Sequence, residues 1–375
     1  VTAERVWDVV VVGAGPAGAV AARGAARRGK SVLLVDKAMF PRAKVCGCCL
    51  NGSALGTLRA IGLGDLVRRE GAVPLSAVTL VAGGRRATVR MTGGVTLSRE
   101  RFDVALIRAA VEAGVEFRPG TTAKLLPAGA GDPVRRLRLE RGPVADAVEA
   151  RVVVAADGLN GQLTAADGNR PAVRAGSRIG AGAQLDSAPS WCPPGRLIMA
   201  VGKGGYVGLV RLEDGRLDLA AALDPAAVRA AGGLGLVSNA VLVQNGLILP
   251  DVTAAAWRGT PALTRTPRAV AGYRWFAAGD AAGYVEPFTG EGMAWAVGSA
   301  ARLGEVLAAD WAPGLAADWA ERHAAGVQVR QRLCRALAWG LRSPTICRAA
   351  VRVLGVVPAA ARPVVAHLNR VVRRG

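Results

Sequence analysis

Histidine is almost absent from these 375 residues: His323 and His367 are the whole supply, and both fall in a basic C-terminal segment. Histidine is the side chain that titrates nearest neutral pH, so histidine-based acid–base catalysis and metal binding have little to draw on. Both read as packing or surface residues. Aromatic side chains are sparse at 4%. No basic–aromatic module accompanies the net charge of +20, which argues against nucleic-acid binding. Lysine stands only at positions 30, 37, 44, 124 and 203, so the positive charge is nearly all arginine. A coding bias toward G and C produces that pattern with no functional meaning. Acid is missing from the tail: Arg322–Gly375 holds eleven Arg and no Asp or Glu. A signal peptide is not evident, because the first apolar strand begins within ten residues of the start, and a cytoplasmic location is expected. The uncharged run 230–250 contains Asn239, Gln244, Asn245 and several glycines, and reads as a buried helix and loop rather than a membrane span. Six cysteines in so long a chain make no disulfide framework, and reduced thiols fit better. Three of them crowd into Cys46-Gly47-Cys48-Cys49, too cramped for a metal site and with no second ligand pair, so no metal is expected. What is plentiful is apolar residue, 51% of the chain, enough for a sizeable core and against disorder.

The most informative stretch is Asp8-Val-Val-Val-Val-Gly13-Ala-Gly15-Pro16-Ala17-Gly18. Val9–Val12 has the unbroken apolar character of a parallel strand buried on both faces. In the Gly-x-Gly-x-x-Gly that follows, Gly13 permits a tight turn, Gly15 lets a pyrophosphate approach the backbone, and Gly18 lets helix pack closely on strand. The Ala-rich segment 17–28 is a helix whose N-terminus offers free N–H groups and a positive dipole to phosphate. Val32–Val35 is a second strand, and Asp36 ends it, placed to accept hydrogen bonds from an adenosine ribose. The strand–turn–helix–strand–acid order makes this a nucleotide-binding fingerprint rather than a chance glycine triplet.

Further along, Asn51–Ile61 and the segment opened by Ser98-Arg99 read as helices. Val78–Val81 with Ala87–Met91, and Arg136–Leu139 with Ala147–Ala155, read as hairpins. Residues 171–267 read as an antiparallel sheet with a helix over it, with Glu213-Asp214-Gly215 as a hairpin turn. Trp275–Ala278 is an apolar strand ending in Gly279-Asp280, and Gly290-Glu291-Gly292 leads into a helix over Met293–Leu307. The expected class is α/β. A Rossmann-type nucleotide-binding domain comprises 1–75, 96–170 and 268–320. A sheet domain of 76–95 and 171–267 interleaves with it, and 321–375 is a basic amphipathic helical tail.

Four motifs in this order resemble the class A flavoprotein family of p-hydroxybenzoate hydroxylase-like monooxygenases and geranylgeranyl reductases. They are the opening βαβ unit, Arg99 ahead of Phe102-Asp103, Ala156-Asp157-Gly158, and Gly279-Asp280-Ala-Ala-Gly283 followed by Pro287-x-Thr-Gly290-x-Gly292. The likeness runs from residue 6 to about 305. Pro41-Arg42-x-Lys44-Val-Cys46-Gly47 and the Thr-Gly-Glu-Gly tetrapeptide look most like the geranylgeranyl reductase branch. The resemblance implies one FAD. Its binding residues would be Gly13, Gly15, Pro16, Ala17, Gly18, Asp36, Lys37, Arg42, Arg99, Asp157, Gly279, Asp280, Pro287, Gly290, Glu291, Gly292 and Met293. There are departures: Ser98 replaces the usual acid before Arg99, and Gly161 and Thr164 stand where the third motif has Ser and Arg. The tryptophan signature of flavin halogenases is absent.

With histidine excluded, proton donors near the flavin must come from Cys46, Cys48, Cys49, Tyr206, Tyr284 or Glu286. Cys46, Tyr206 and Tyr284 are the principal candidates, since Arg42 and Lys44 lie close to Cys46 and lower a thiol pKa. Two enzyme readings follow. The first is reduction of C=C bonds of a prenyl or other lipophilic substrate by reduced FAD, with NAD(P)H or a reduced carrier as external reductant. The second is FAD-dependent hydroxylation of an aromatic or polyketide substrate. A non-catalytic flavin-binding protein is the third. In the tail, Ile346, Ala350, Val353, Leu354 and Val357 fall on one helical face, and Val364, Val365, Leu368, Val371 and Val372 on another. Apolar stripes beside many Arg match an interfacial anchor on the inner face of a membrane, or else packing on the flavin domain.

Overall fold

The computed structural model describes residues 5–129, 131–286, 288 and 290–370. Its first sheet runs in the order Ala271–Gly272, Trp275–Ala277, Val144–Ala155, Val6–Val12, Val32–Asp36, Glu116–Pro119. From Trp275–Ala277 to Glu116–Pro119 every pairing is parallel. Val9–Val11 and Val32–Val35 are buried on both faces, which is why these strands read as continuous apolar runs. The hairpin Arg135–Arg141 with Val144–Ala155 hangs from this sheet and is extended by Thr122–Leu125. Helix Pro16–Ala26 packs against helices Arg99–Val111 and Gly292–Val306. Gly24 and Gly304 meet where two of them cross: a Cβ on Gly24 would stand 3.1 Å from the Gly304 Cα. The α/β class and Rossmann-type architecture are as the sequence implies.

The second sheet has the order Arg258–Ala262, Ile179–Leu185, Leu217–Leu223, Gly205–Arg211, Arg196–Gly202, Val73–Ala82, Arg85–Thr96, Cys49–Leu50. Within residues 171–267 its strands pair antiparallel. Arg196–Gly202 pairs parallel with Val73–Ala82, Met199 opposite Leu80, so the hairpin at 73–96 continues the same sheet. A parallel pairing across more than a hundred residues leaves no local turn signal to read. Alternation assigns the two faces. Val207, Leu209 and Leu219 pack outward against helix Leu234–Val243. Tyr206, Gly208 and Ala220 face inward, toward the first sheet's carboxyl end, and line a cavity.

The tail folds back over that cavity. After helix Gly314–His323, which leads into it, the tail's helices are Val329–Gly340, Pro344–Val356 and Arg362–Asn369. Trp319 is fully buried and donates its indole N–H to the Ala277 carbonyl at 3.0 Å. Asn369 accepts the Gly52 N–H at 3.0 Å and donates to the Thr92 carbonyl at 2.8 Å, pinning the last helix to the body. The stripe read on Pro344–Val356 divides. Of its residues Leu354 packs on the second sheet, beside Cys347 and Val351 which the stripe did not include, whereas Ile346, Val353 and Val357 are exposed, as is Val356. Val371 and Val372 lie outside the described residues.

Candidate active site

One cavity of about 1610 Å³ runs from the glycine-rich turn to the tail helices. Ordinary small-molecule pockets measure roughly 300–1,000 Å³, so this one has room for a dinucleotide and a second molecule. At its first end the backbone is built for close approach. Gly13 has φ +104, and a Cβ there would meet the Ala156 carbonyl oxygen at 2.2 Å. A Cβ on Gly18 would fall 1.7 Å from the Gly13 carbonyl oxygen. Gly15 caps helix Pro16–Ala26, with Pro16 in its first turn, so unpaired N–H groups point into the cavity mouth. The guanidinium nitrogens of Arg42 and Arg99 lie 3.7 and 3.8 Å from where a Gly15 Cβ would be. Two cations and a helix N-terminus thus converge on one point, an arrangement suited to a pyrophosphate.

The cations are held from behind. Arg99 makes a bidentate pair with buried Asp103, both contacts at 2.8 Å, and Arg42 stands 3.7 Å from Asp103 and 3.8 Å from Asp36. Asp36 does more than end its strand: it accepts the Ala14 N–H at 2.7 Å and the Ala38 N–H at 2.8 Å, clamping the glycine turn to the strand end. Each oxygen keeps a further lone pair for a ribose hydroxyl. Asp157 accepts the N–H groups of Gln162 and Leu163 at 2.7 and 3.0 Å, while its other oxygen is buried without a partner. The Arg42 Nε is likewise buried and unpartnered.

Gly279 adopts φ +62 against Ala17, where a Cβ would lie 2.7 Å from the Ala17 Cβ. The next side chain, Asp280, enters the cavity. Burial raises its carboxyl pKa, opposed by the charges of Lys44 and Arg99, and among the described residues nothing donates a hydrogen bond to it. Gly290 has φ +70 with open space beside it, and Gly292 begins helix Gly292–Val306 with the Tyr284 hydroxyl 3.2 Å from its would-be Cβ. Gly13, Gly15, Pro16, Ala17, Asp36, Lys37, Arg42, Arg99, Asp157, Gly279, Asp280, Gly290, Gly292 and Met293 all line the one cavity. Gly18 sits behind the turn. Glu291 does not face the cavity: its carboxylate accepts the Cys334 thiol at 3.0 Å and lies 3.9 Å from Arg330, tying the helix start to the tail. Pro287 lies outside the described residues. The glycine cradle, the orphaned Arg42 and Asp157 atoms and the unpaired Asp280 carboxyl fit FAD.

Beyond Asp280 the cavity turns apolar. Leu75, Val78, Leu80, Met199, Ala220 and Ala222 supply one wall, and Trp339, Ile346, Leu354, Val364 and Leu368 of the tail the other. Cys46, Tyr206 and Tyr284 all line it. Cys48 holds φ +51, a left-handed conformation that favours glycine, and donates its N–H to the Cys46 sulfur at 3.4 Å. A hydrogen bond from the Cys48 thiol and the Arg99 charge together outweigh burial and bring the Cys46 pKa down to about 6. That shift favours the thiolate of Cys46 over its thiol. The two phenols go the other way: burial, with Glu286 beside Tyr206 and Asp280 beside Tyr284, pushes both well up. One wall residue escaped the sequence reading. Asp218, in Leu217-Asp218-Leu219, looks like the solvent-facing position of an alternating strand, yet it is buried on the cavity wall.

Residues 6–179 match the model of an FAD binding domain. The menaquinone reductase of Mycobacterium tuberculosis is 28% identical over 380 residues, covering 90% of this chain and 86% of that protein. A geranylgeranyl bacteriochlorophyll reductase-like protein from Thermoplasma acidophilum superposes with a TM-score of 0.79 at 18% identity, over 97% of this chain and 98% of the other. The p-nitrophenol 4-monooxygenase of Pseudomonas putida has a TM-score of 0.80 at 18% identity, over 99% and 100%. The last two likenesses are of fold alone.

Proposed function

For this chain, an FAD-dependent oxidoreductase with the class A flavoprotein fold, we propose reduction of a C=C bond in the prenyl chain of a lipophilic substrate such as a menaquinone. The observation that carries the proposal is the continuity of the cofactor groove with an apolar chamber walled by the tail helices. The near full-length likeness to a menaquinone reductase supports the same substrate class. When bound, FAD supplies a two-electron reduction, recharged by NAD(P)H or a reduced carrier. The chain's own residues do the rest. Arg42, Arg99 and the Gly15 helix terminus hold the pyrophosphate, Asp36 the ribose and Asp280 the ribityl chain. The Gly290–Gly292 backbone presents N–H groups to the flavin edge, where negative charge gathers on reduction. Leu80, Met199 and Leu354 exclude water and take an isoprenoid chain by apolar contact.

The hydroxylase alternative asks for a base or relay to activate a phenol, and neither histidine lines the cavity. The exposed edge of Ile346, Val353 and Val356, beside Arg348 and Arg352, supports entry of the substrate from an anionic membrane surface. Anaerobic stopped-flow mixing of the reduced protein with a menaquinone in micelles tests the proposal. Flavin absorbance should return much faster with the full-length prenyl chain than with the same quinone ring lacking it. Equal rates for the two would assign the chemistry to the ring and overturn the proposal.

A further inference from the structure

We propose that Asp218 is the acid of the substrate chamber, holding the proton that one carbon of the double bond receives. The inference rests on the reductase reading above and concerns which residue completes it.

Three placements carry it. First, strand register sets Asp218 on the inward face, two residues before Ala220 and opposite Val210 of the neighbouring strand. Second, the cysteine loop lies over that face: a Cβ on Gly47 would be 3.9 Å from the Ala220 Cβ, and one on Gly182 would be 3.4 Å from the Val45 Cα. The loop thus covers the strand face beside Asp218, with Cys46 near the carboxyl and the Cys48 thiol beside it. Third, the carboxyl is nine-tenths buried yet has one free oxygen: Oδ1 accepts the Gln184 amide at 3.3 Å, and Oδ2 has no partner at hydrogen-bond distance. An ionised carboxylate so placed would leave a buried charge uncompensated.

Among the described residues no cation pairs with it. Arg216, two residues earlier, is turned to Asp214, to Glu100 and to the Gln184 carbonyl. The titratable and polar groups facing Asp218 are Gln184 on one neighbouring strand, the three thiols of the loop, and Glu100 from the helix Arg99–Val111. Burial, then the Cys46 anion, hold the carboxyl in its neutral form well above the usual carboxylate range. The Gln184 amide and the Cys48 thiol, which donate toward the carboxyl, oppose that shift without reversing it. Asp218 starts as a carboxyl, whereas the phenols of the wall start near pKa 10 and are pushed higher.

The step balances. One carbon takes two electrons and a proton, as a hydride equivalent, from the reduced flavin while the π bond breaks. The O–H bond of Asp218 breaks, its proton bonds to the neighbouring carbon, and the carboxylate left behind is reprotonated from solvent before the next turnover.

Two measurements on the flavin-loaded protein test it. Infrared spectra of ¹³C-aspartate-labelled protein at neutral pH should contain a protonated-carboxyl band that Asp218→Asn lacks. In anaerobic single turnovers with a menaquinone, Asp218→Asn should slow substrate reduction by about 100-fold or more, with flavin content and dithionite reduction unchanged and Asp218→Glu restoring part of the rate. Because the acid must be protonated, the wild-type rate falls as pH rises through its pKa. Cys46→Ser removes the neighbouring anion and should move that alkaline limb to lower pH. A wild-type Asp218 that is ionised at neutral pH overturns the proposal, as does an Asn variant with undiminished rate. Should Asp218→Asn not fold, absence of the band from aspartate-labelled Asp218→Glu makes the same assignment. If the wild type shows the band but reduces no menaquinone, the reductase reading has failed and the proton-transfer step fails with it, whereas a missing band overturns the role of Asp218 alone.

Discussion

Asp280→Ala should bind FAD more weakly by about 1.5–3 kcal/mol, the loss of a charged acceptor from a buried hydroxyl. Flavin retention on dilution reads this directly, and unchanged affinity would remove Asp280 from the cofactor's contacts. A second residue controls acid stability. His323 is buried with both ring nitrogens unpartnered, its ring centroid 5.7 Å from that of Trp319. Burial, then the Arg302 charge, brings its pKa down to about 4 from an ordinary 6.5. Between those values the unfolded chain binds the proton and the folded chain does not, so stability falls as pH drops from 6.5 toward 4. The full effect is about 3 kcal/mol. His323→Phe should flatten that slope in urea titrations, and an unchanged slope would show that His323 is protonated in the fold. At this scale the glycines were legible because strand, turn, helix and acid follow in order. Asp218 was not, because one aspartate between two leucines looks the same whether its strand faces water or a chamber. Only the cysteine loop folded across it distinguishes the two.

Among elements, the nucleotide-binding unit could be read in advance because its contacts are local, within thirty residues of Val9. The helix over Gly292–Val306 and the hairpins at 73–96 and 135–155 were legible for the same reason. The tail was half legible. Its periodicity shows amphipathic helices, but one stripe cannot say which residues turn in and which turn out. In the structure Cys347, Val351 and Leu354 turn in, while Ile346 at 46%, Val353 at 55% and Val356 at 78% remain exposed. These helices also wall the cavity, so cutting them off would test folding rather than docking. Point changes separate the two. Ile346→Ser with Val353→Ser and Val356→Ser should abolish pelleting with anionic vesicles while leaving flavin content intact. Wild-type pelleting should weaken with salt, since each nearby Arg contributes about 1 kcal/mol to anionic lipid. Unchanged pelleting by the triple variant would place the lipid contact elsewhere. No single helix among the described residues is long and apolar enough to cross a membrane.

For the whole molecule, two sheets built on different principles meet at one cavity. The parallel sheet brings its strand ends, and hence its glycine turns, to the cofactor groove. The mixed sheet offers small residues, Gly208, Ala220 and Ala222, so that its inward face leaves space instead of filling it. The tail closes that space with an apolar wall and ties back through Asn369, Trp319 and the Cys334–Glu291 contact. On the proposed function, a chamber so lined would take a long hydrocarbon chain and offer it one acid and one reductant. The most direct measurement is therefore the mass of the product. Reduced protein, incubated anaerobically with a menaquinone and then with oxygen admitted in a parallel sample, should in both cases yield a quinone whose prenyl chain has gained two hydrogen atoms. Fragmentation should place them on the chain and not on the ring. A product that gains an oxygen atom, and only in the aerobic sample, would contradict the account.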